Sequence, residues 1–374
     1  MKKANSPFLL FTPGPTNTSL ETKKAMLIDR GSRDDEVNRI NRRICAGLLK
    51  IAGNPRTHIC VPIQGSGTYA IEATIGSLIS DRDKILIMSN GRYGERIAKI
   101  CKKLKKKFFI FKNNDYEQNS LIALERLLNR DPSITHVFAV HCETTSGILN
   151  PLEAMATVAF KKKCNFFVDA MSSFGGIPIN LKKTKCGVLI SSANKCIEGV
   201  PGVSFVIASK KLFKNHGHSR SLSLDLVDQW NFFQKTGQWR FTPPTHVLAA
   251  LDSAIDQHFR KGGVRAKNFR YRNNIKILIN GMRDMGFDSF VPDQYQSPII
   301  ATFFYPKDKK FNFSSFYDLL KGKKLLIYPG KLSRLDTFRI SCIGQIDSKD
   351  VRNLLRQIKL ILQKMGVTNC SSGK

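Results

Sequence analysis

The chain has 374 residues, 42% hydrophobic and 24% charged, which is enough to bury a full core and too long for one small domain. Lys and Arg number 60 against 29 Asp and Glu, a formal net charge of +31, while 26 glycines and 15 prolines exclude collagen-like and low-complexity classes. No run approaches the roughly 18 uninterrupted apolar residues that a membrane-spanning helix requires.

At the amino end, Lys2 and Lys3 precede only Phe8, Leu9, Leu10 and Phe11 before Thr12-Pro13-Gly14-Pro15, too short an apolar core for secretion. From about residue 58, short β-rich runs alternate with helix-length segments, the rhythm of an α/β protein with a largely parallel sheet. Strands are predicted at His58 to Ile63, Lys84 to Met88, Phe108 to Phe111, Thr135 to His141, Asn165 to Asp169, Gly187 to Ser191 and Val203 to Ala208. Helices are predicted over Tyr69 to Ile79, Arg92 to Lys106, Ser120 to Asn129 and Pro151 to Lys163. The last has Asn150 as its expected cap and Pro151 at its first position. After Thr242-Pro243-Pro244-Thr245 the pattern changes to long helices, His246 to Arg260 and Val264 to Met285. A smaller αβ unit follows, with strands Ile299 to Phe304, Leu325 to Tyr328 and Thr337 to Ser341 and helices Phe313 to Leu320 and Ser348 to Lys364. The tail from Asn369 to Lys374 is expected to be disordered.

Two segments could carry chemistry. Gln64-Gly65-Ser66-Gly67-Thr68 joins an apolar strand to a helix, where glycines permit a tight turn and unpaired amides and hydroxyls can meet a phosphate. A plain strand-to-helix turn accounts for the same glycines, since neither the dinucleotide spacing nor the Walker lysine is present. Asp169 ends one apolar strand, and Ser191-Ser192-Ala193-Asn194-Lys195 ends the next, so carboxylate and amine lie at neighbouring strand ends. A partly desolvated Lys195 would have a lowered pKa and serve as nucleophile or base; alternatively it only pairs with a carboxylate. Phosphate cradle, buried acid and strand-end lysine are together the parts that a pyridoxal phosphate enzyme needs.

The same residues resemble the class V aminotransferases. The likeness runs through Pro13-Gly14-Pro15, Gln64 to Thr68, Ser89-Asn90-Gly91-Arg92-Tyr93-Gly94, His141 to Gly147, Asp169 to Gly176 and Ser191 to Gly202. It continues through Ser219 to Asp225, Arg240 to His246, Ile327 to Lys331 and Phe338-Arg339-Ile340, and so covers nearly the whole chain. Thr-Pro-Gly-Pro and the lysine segment are shared with the alanine:glyoxylate and serine branch, whereas Asp-Ala-Met-Ser-Ser-Phe-Gly-Gly and the wording Ser-Ala-Asn-Lys-Cys are similar to the branch acting on phosphonates.

That resemblance implies a PLP-dependent transferase fold of type I. Its large domain, 18–262, would hold a mostly parallel seven-stranded sheet, and a smaller α/β domain would comprise 1–17 and 263–374. It implies pyridoxal phosphate bound covalently by Lys195, with Asp169 on the ring nitrogen, Tyr93 stacked on the ring, and Ser66, Gly67, Thr68 and Asn194 on the phosphate. Thr145 would also contact the cofactor, and Thr242 would reach it from a second subunit, making the enzyme a homodimer. Arg339 would bind the acidic end of each substrate, for which a planar guanidinium suits carboxylate and phosphonate alike. The implied reaction is a ping-pong transfer from 2-aminoethylphosphonate to pyruvate, with an alanine- or serine-glyoxylate reaction as the alternative.

The chain departs from the family pattern at Ser32-Arg33, where an aromatic residue is expected before Asp34, and at Ser341 and Cys342 after Ile340. A desulfurase role for Cys342 does not fit, since that nucleophile belongs on a mobile loop upstream of the arginine strand. The nine cysteines include no Cys-x-x-Cys pair, so neither a zinc ribbon nor a disulfide framework is expected, in keeping with a reducing, cytoplasmic setting. His216-x-His218 has no third ligand nearby, and no metal is expected. The basic runs, among them Lys105 to Lys107, Lys161 to Lys163 and Lys321-Gly322-Lys323-Lys324, either bind nucleic acid or form solvated helix faces. Their scatter, without a nucleic-acid module, favours the second reading.

Overall fold

The computed structural model describes residues 8–53, 55–213, 217–330, 332 and 335–373. Its centre is a seven-stranded sheet of β1 (His58–Gln64), β2 (Lys84–Ser89), β3 (Lys107–Lys112), β4 (His136–Val140), β5 (Asn165–Asp169), β6 (Val188–Ser192) and β7 (Val203–Ser209), in the order β1-β7-β6-β5-β4-β2-β3. Only β7 runs against its neighbours, β1 and β6; the other pairings are parallel.

Alternate residues of each strand point to opposite faces, and both faces are covered. Leu86, Val137, Phe166, Val168 and Leu189 pack on α1 (Asp35–Ile51), α4 (Leu121–Arg130), α5 (Leu152–Lys161) and α7 (Thr245–Arg260). Ile85, Ile87, Phe138, Phe167 and Ile190 pack on α2 (Gly67–Leu78), α3 (Arg92–Lys103) and α6 (Leu226–Thr236). This two-sided burial makes the strands near-continuous apolar runs.

The long helix α8 (Gly263–Asp284) leads to an antiparallel three-stranded sheet of β8 (Ile300–Phe304), β9 (Tyr328–Pro329) and β10 (Thr337–Ser341), with β10 central. Phe303, Phe316 and Phe338 fill a separate core there beneath α9 (Phe313–Gly322) and α10 (Ser348–Met365).

Three local expectations are corrected. Leu325 to Tyr328 is not one strand: Leu325–Leu326 pairs in parallel with Leu9–Leu10, while Tyr328–Pro329 pairs with β10. Pro151 is the cap of α5 rather than its first residue, because the Asn150 side chain is engaged elsewhere. The tail is ordered through residue 373: Asp288 accepts from the Ser372 amide at 2.7 Å and its hydroxyl at 2.8 Å, and Cys370 and Ser372 are buried. Lys374 lies outside the described residues.

Candidate active site

The parallel strands all end on one edge of the sheet, so residues far apart in sequence meet there. β1 runs into Gly65, whose φ of +116° lies in the left-handed region that glycine adopts freely. Ser66 then caps α2, yet its side chain makes no capping bond, leaving its hydroxyl and the first helical amides available to an anion.

At the end of β5, Asp169 is buried and accepts the Met171 amide at 2.9 Å. Burial pushes its carboxyl up to about 6, against the Met171 amide and the charges of Lys195 and Arg96. The turn after β6 carries Asn194 and Lys195, whose half-buried amine donates to the Pro13 carbonyl at 2.7 Å. Gly14 has φ +129°, and a β-carbon on it would come within 2.5 Å of Lys195 Cδ and 2.7 Å of Cε. A side chain at position 14 would therefore strain its left-handed backbone and push the lysine aside.

β2 leads through Asn90-Gly91 into α3, placing Tyr93 in its first turn and Arg96 one turn later. The Arg96 guanidinium stands 4.9 Å from the Tyr93 ring centre, and its Nη1 donates to Thr68 Oγ1 at 3.2 Å. Beneath them Glu143 is fully buried. One of its oxygens accepts the Thr145 amide at 3.1 Å and hydroxyl at 2.6 Å, and the other accepts the Tyr93 amide at 3.3 Å. Burial pushes this carboxyl up to about 7. Arg339, 1% exposed on β10, donates from Nη1 to the Thr144 carbonyl at 2.8 Å and from Nε to the Pro329 carbonyl at 3.1 Å. Burial lowers its pKa, with Tyr93 and Glu143 acting in the opposite direction.

Ser66, Gly67, Thr68, Tyr93, Asp169, Asn194 and Lys195 share the lining of one cavity of about 210 Å³. Arg339 adjoins it through Thr144, which also lines it. Thr145 sits one layer back, its hydroxyl given to Glu143. Thr242 is exposed and is not on the wall of this cavity. Its neighbour Phe241 lines a second hollow, of about 570 Å³, together with Ser66, Tyr69 and Trp239.

The wall also carries Arg96, Thr144, Met171, Ser172 and Ser192, with Glu143 behind it, none of which the sequence motifs single out. Arg96 was within reach: on a helix that opens at a strand end, the residue three after Tyr93 shares its face. Among the departures, Arg33 is exposed, Ser341 donates to the Ile299 carbonyl at 2.8 Å, and Cys342 is buried with its thiol pushed up by burial. His218 is exposed and His216 lies outside the described residues, among which no group of three His, Cys, Asp or Glu could hold a metal.

The donor set fits pyridoxal phosphate. A helix start with an uncommitted cap hydroxyl suits a dianionic phosphate, a buried carboxyl suits a protonated ring nitrogen, and an amine on the same cavity suits an aldehyde.

A sequence model of the family Aminotransferase class-V matches residues 50–327. A 2-aminoethylphosphonate–pyruvate transaminase of Pseudomonas aeruginosa is 45% identical over 368 residues, 98% of this chain and 99% of that protein. One of Pseudomonas putida is 45% identical over 97% of this chain and 99% of its own length. The fold is similar to that of ureidoglycine–glyoxylate aminotransferase from Bacillus subtilis, with a TM-score of 0.89 at 20% identity, covering 100% of this chain and 97% of that one. Pyridoxamine–pyruvate aminotransferase from Mesorhizobium loti gives a TM-score of 0.89 at 21% identity, over 98% and 94% of the two chains.

Proposed function

The chain belongs to the class V aminotransferases, and from that premise we propose that it moves the amino group of 2-aminoethylphosphonate to pyruvate, giving phosphonoacetaldehyde and L-alanine. The observation that carries this reading is the convergence of the Ser66 loop, Asp169 and Lys195 on one cavity, with Arg339 buried beside it. The near full-length likeness to transaminases with this donor and acceptor narrows the substrates.

Pyridoxal phosphate, when bound, supplies an aldehyde for the incoming amine and an electron-poor ring that stabilises charge on the amine-bearing carbon. Ser66, Gly67 and Thr68 at the start of α2, with Asn194 from the turn after β6, would hold the phosphate by amide and side-chain donors. Asp169, buried at the end of β5, would hold a proton on the ring nitrogen by hydrogen bond and charge. Tyr93, on the same cavity wall, would stack on the ring, while Thr145 acts through Glu143 to hold the Tyr93 backbone. Lys195, whose amine lines the same cavity, would hold the cofactor covalently, and its Nζ would serve as the base that moves a proton at the amine-bearing carbon of the substrate. Arg339 binds the phosphonate of one substrate and the carboxylate of the other, so a single guanidinium serves both half-reactions.

We further place the cofactor in a unit spanning 18–262 and Arg339 in a unit of 1–17 and 263–374, within a cytoplasmic homodimer whose second copy contributes Thr242. The exposure of Thr242 outside its own chain's cavity supports that last assignment. The test assays purified enzyme with 2-aminoethylphosphonate, serine and alanine against pyruvate and glyoxylate. Alanine formation dependent on 2-aminoethylphosphonate and pyruvate, lost in Lys195→Ala, is expected. A preference for alanine with glyoxylate would overturn the substrate assignment.

A further inference from the structure

Three residues past Lys195, Glu198 has φ +67°, a left-handed conformation that a residue with a side chain keeps only when its surroundings enforce it. The carboxylate is buried and held by several donors. Oε1 accepts from the Tyr271 hydroxyl at 2.8 Å and Arg270 Nη2 at 2.6 Å, with Lys267 Nζ 3.6 Å away, and Oε2 accepts from the Gln345 amide. Burial opposes the charge, but Lys267, Arg270 and Tyr271 outweigh it and keep the carboxyl below its ordinary range.

These donors come from two parts of the molecule that lead back to the site. Lys267, Arg270 and Tyr271 lie on one face of α8. The same helix binds the Cys196 carbonyl through Lys267 at 2.7 Å, the Gly176 carbonyl through Asn268 at 3.0 Å, and the Ile346 carbonyl through Asn274 at 3.0 Å. Gln345 lies in the loop that follows β10, the strand bearing Arg339, and Arg270 reaches the neighbouring Gly344 carbonyl at 3.0 Å. One carboxylate thus joins the turn of Lys195, the first turns of α8 and the loop after the Arg339 strand.

We propose that Glu198 is a positioning residue, clamping the 193–199 turn to α8 and the 344–346 loop so that Lys195 and Arg339 keep a fixed relation. The proposal rests on Lys195 being the cofactor lysine. Its effect belongs to the chemical step, because displacement of a reacting group by about 1 Å can cost up to about a hundredfold in rate.

Glu198→Gln preserves volume and removes the charge, and Tyr271→Phe deletes a single donor while leaving the ring packed. Both are compared with wild type at a temperature where far-ultraviolet circular dichroism reports a folded chain. Borohydride labelling of Lys195, kcat, KM and the visible circular dichroism of the bound cofactor are read. Expected for Glu198→Gln is a roughly tenfold or greater fall in kcat with KM within about twofold, and an altered visible signal. Tyr271→Phe should show the same pattern at smaller amplitude, about threefold, and decides alone should Glu198→Gln not fold. A labelled Lys195 together with variants changed only in melting temperature would overturn the clamp and leave the function intact. A wild type without label at Lys195 would overturn both.

Discussion

Burial raises the Asp169 carboxyl to about 6 from an ordinary 3.8, and that direction fixes a pH dependence for the cofactor-free chain. Between those values the folded protein binds more protons than the unfolded one. The contribution of this group is therefore fully present below the lower value and is lost as pH rises through the upper one. At about 1.4 kcal/mol per pKa unit, the buried charge costs on the order of 3 kcal/mol above pH 7. Asp169→Asn keeps an acceptor for the Met171 amide and removes the charge. Without cofactor it should melt above wild type at pH 8 and close to it at pH 4. With cofactor the order should reverse, since the variant lacks the negative charge that favours a protonated ring nitrogen. Calorimetric scans with and without pyridoxal phosphate check both statements, and a gap independent of pH would contradict the first. Asp169 and Lys195 were legible in the sequence because each follows an apolar run at a strand end. Glu143 was not, because its burial depends on Gly91, where a β-carbon would come within 2.5 Å of the Glu143 carboxyl carbon.

The loops that follow β2 and β4 and precede α4 are pinned to one another by Asn150. Its Nδ2 donates to the Val140 carbonyl at 2.8 Å and Asn90 Oδ1 at 3.1 Å, and its Oδ1 accepts from the Asn119 amide at 2.8 Å and Asn90 Nδ2 at 2.9 Å. All this is buried, so Asn150→Ala strands polar groups away from water and should cost about 2–4 kcal/mol in urea unfolding. A loss below about 1 kcal/mol would mean that water replaces the side chain. The same residue explains one misreading, because Asn before Pro reads locally as a helix cap, and nothing local reveals that three loops compete for its side chain. All seven central strands were legible as apolar runs, though Gln64, Ser89, Ser192 and Ser209 extend their ladders into polar sequence. Helix α1 was missed although Val37, Ile40, Ile44, Leu48 and Ile51 recur at helical spacing, because Arg39, Arg42 and Arg43 mask the stripe in a composition-led reading. Leu325 to Tyr328 was misread for a different reason: four extended residues serve two sheets, and that division is set by their partners.

At the scale of the whole molecule, the charge of +31 and the exposed apolar side chains have different explanations. Several basic runs sit where the fold uses them: Lys102 and Lys103, Lys161 and Lys321 occupy the last turns of α3, α5 and α9, where a cation meets the negative end of the helix dipole. Lys106 is buried, donating to the Ile79 carbonyl at 2.5 Å and to Asp81 at 2.8 Å. The apolar exposure has no such local role. Tyr69 is 54% exposed and Phe241 51%, and both line the 570 Å³ hollow beside Ser66, while Leu222, 73% exposed, directly precedes Ser223 and Leu224 of the same lining. A second copy of the chain covering this hollow would bury both aromatic rings and bring its Thr242, adjacent to Phe241, toward the phosphate end of the neighbouring cavity. Phe241→Asp places a charge where desolvation would leave it unpaired, so the variant should sediment at the mass of one chain while wild type sediments at two. Loss of the partner's Thr242 should also weaken cofactor retention, seen as faster bleaching of the visible band during dialysis. A wild-type monomer that retains the cofactor and turns over would show that each chain completes its own site, and the hollow would then need another occupant.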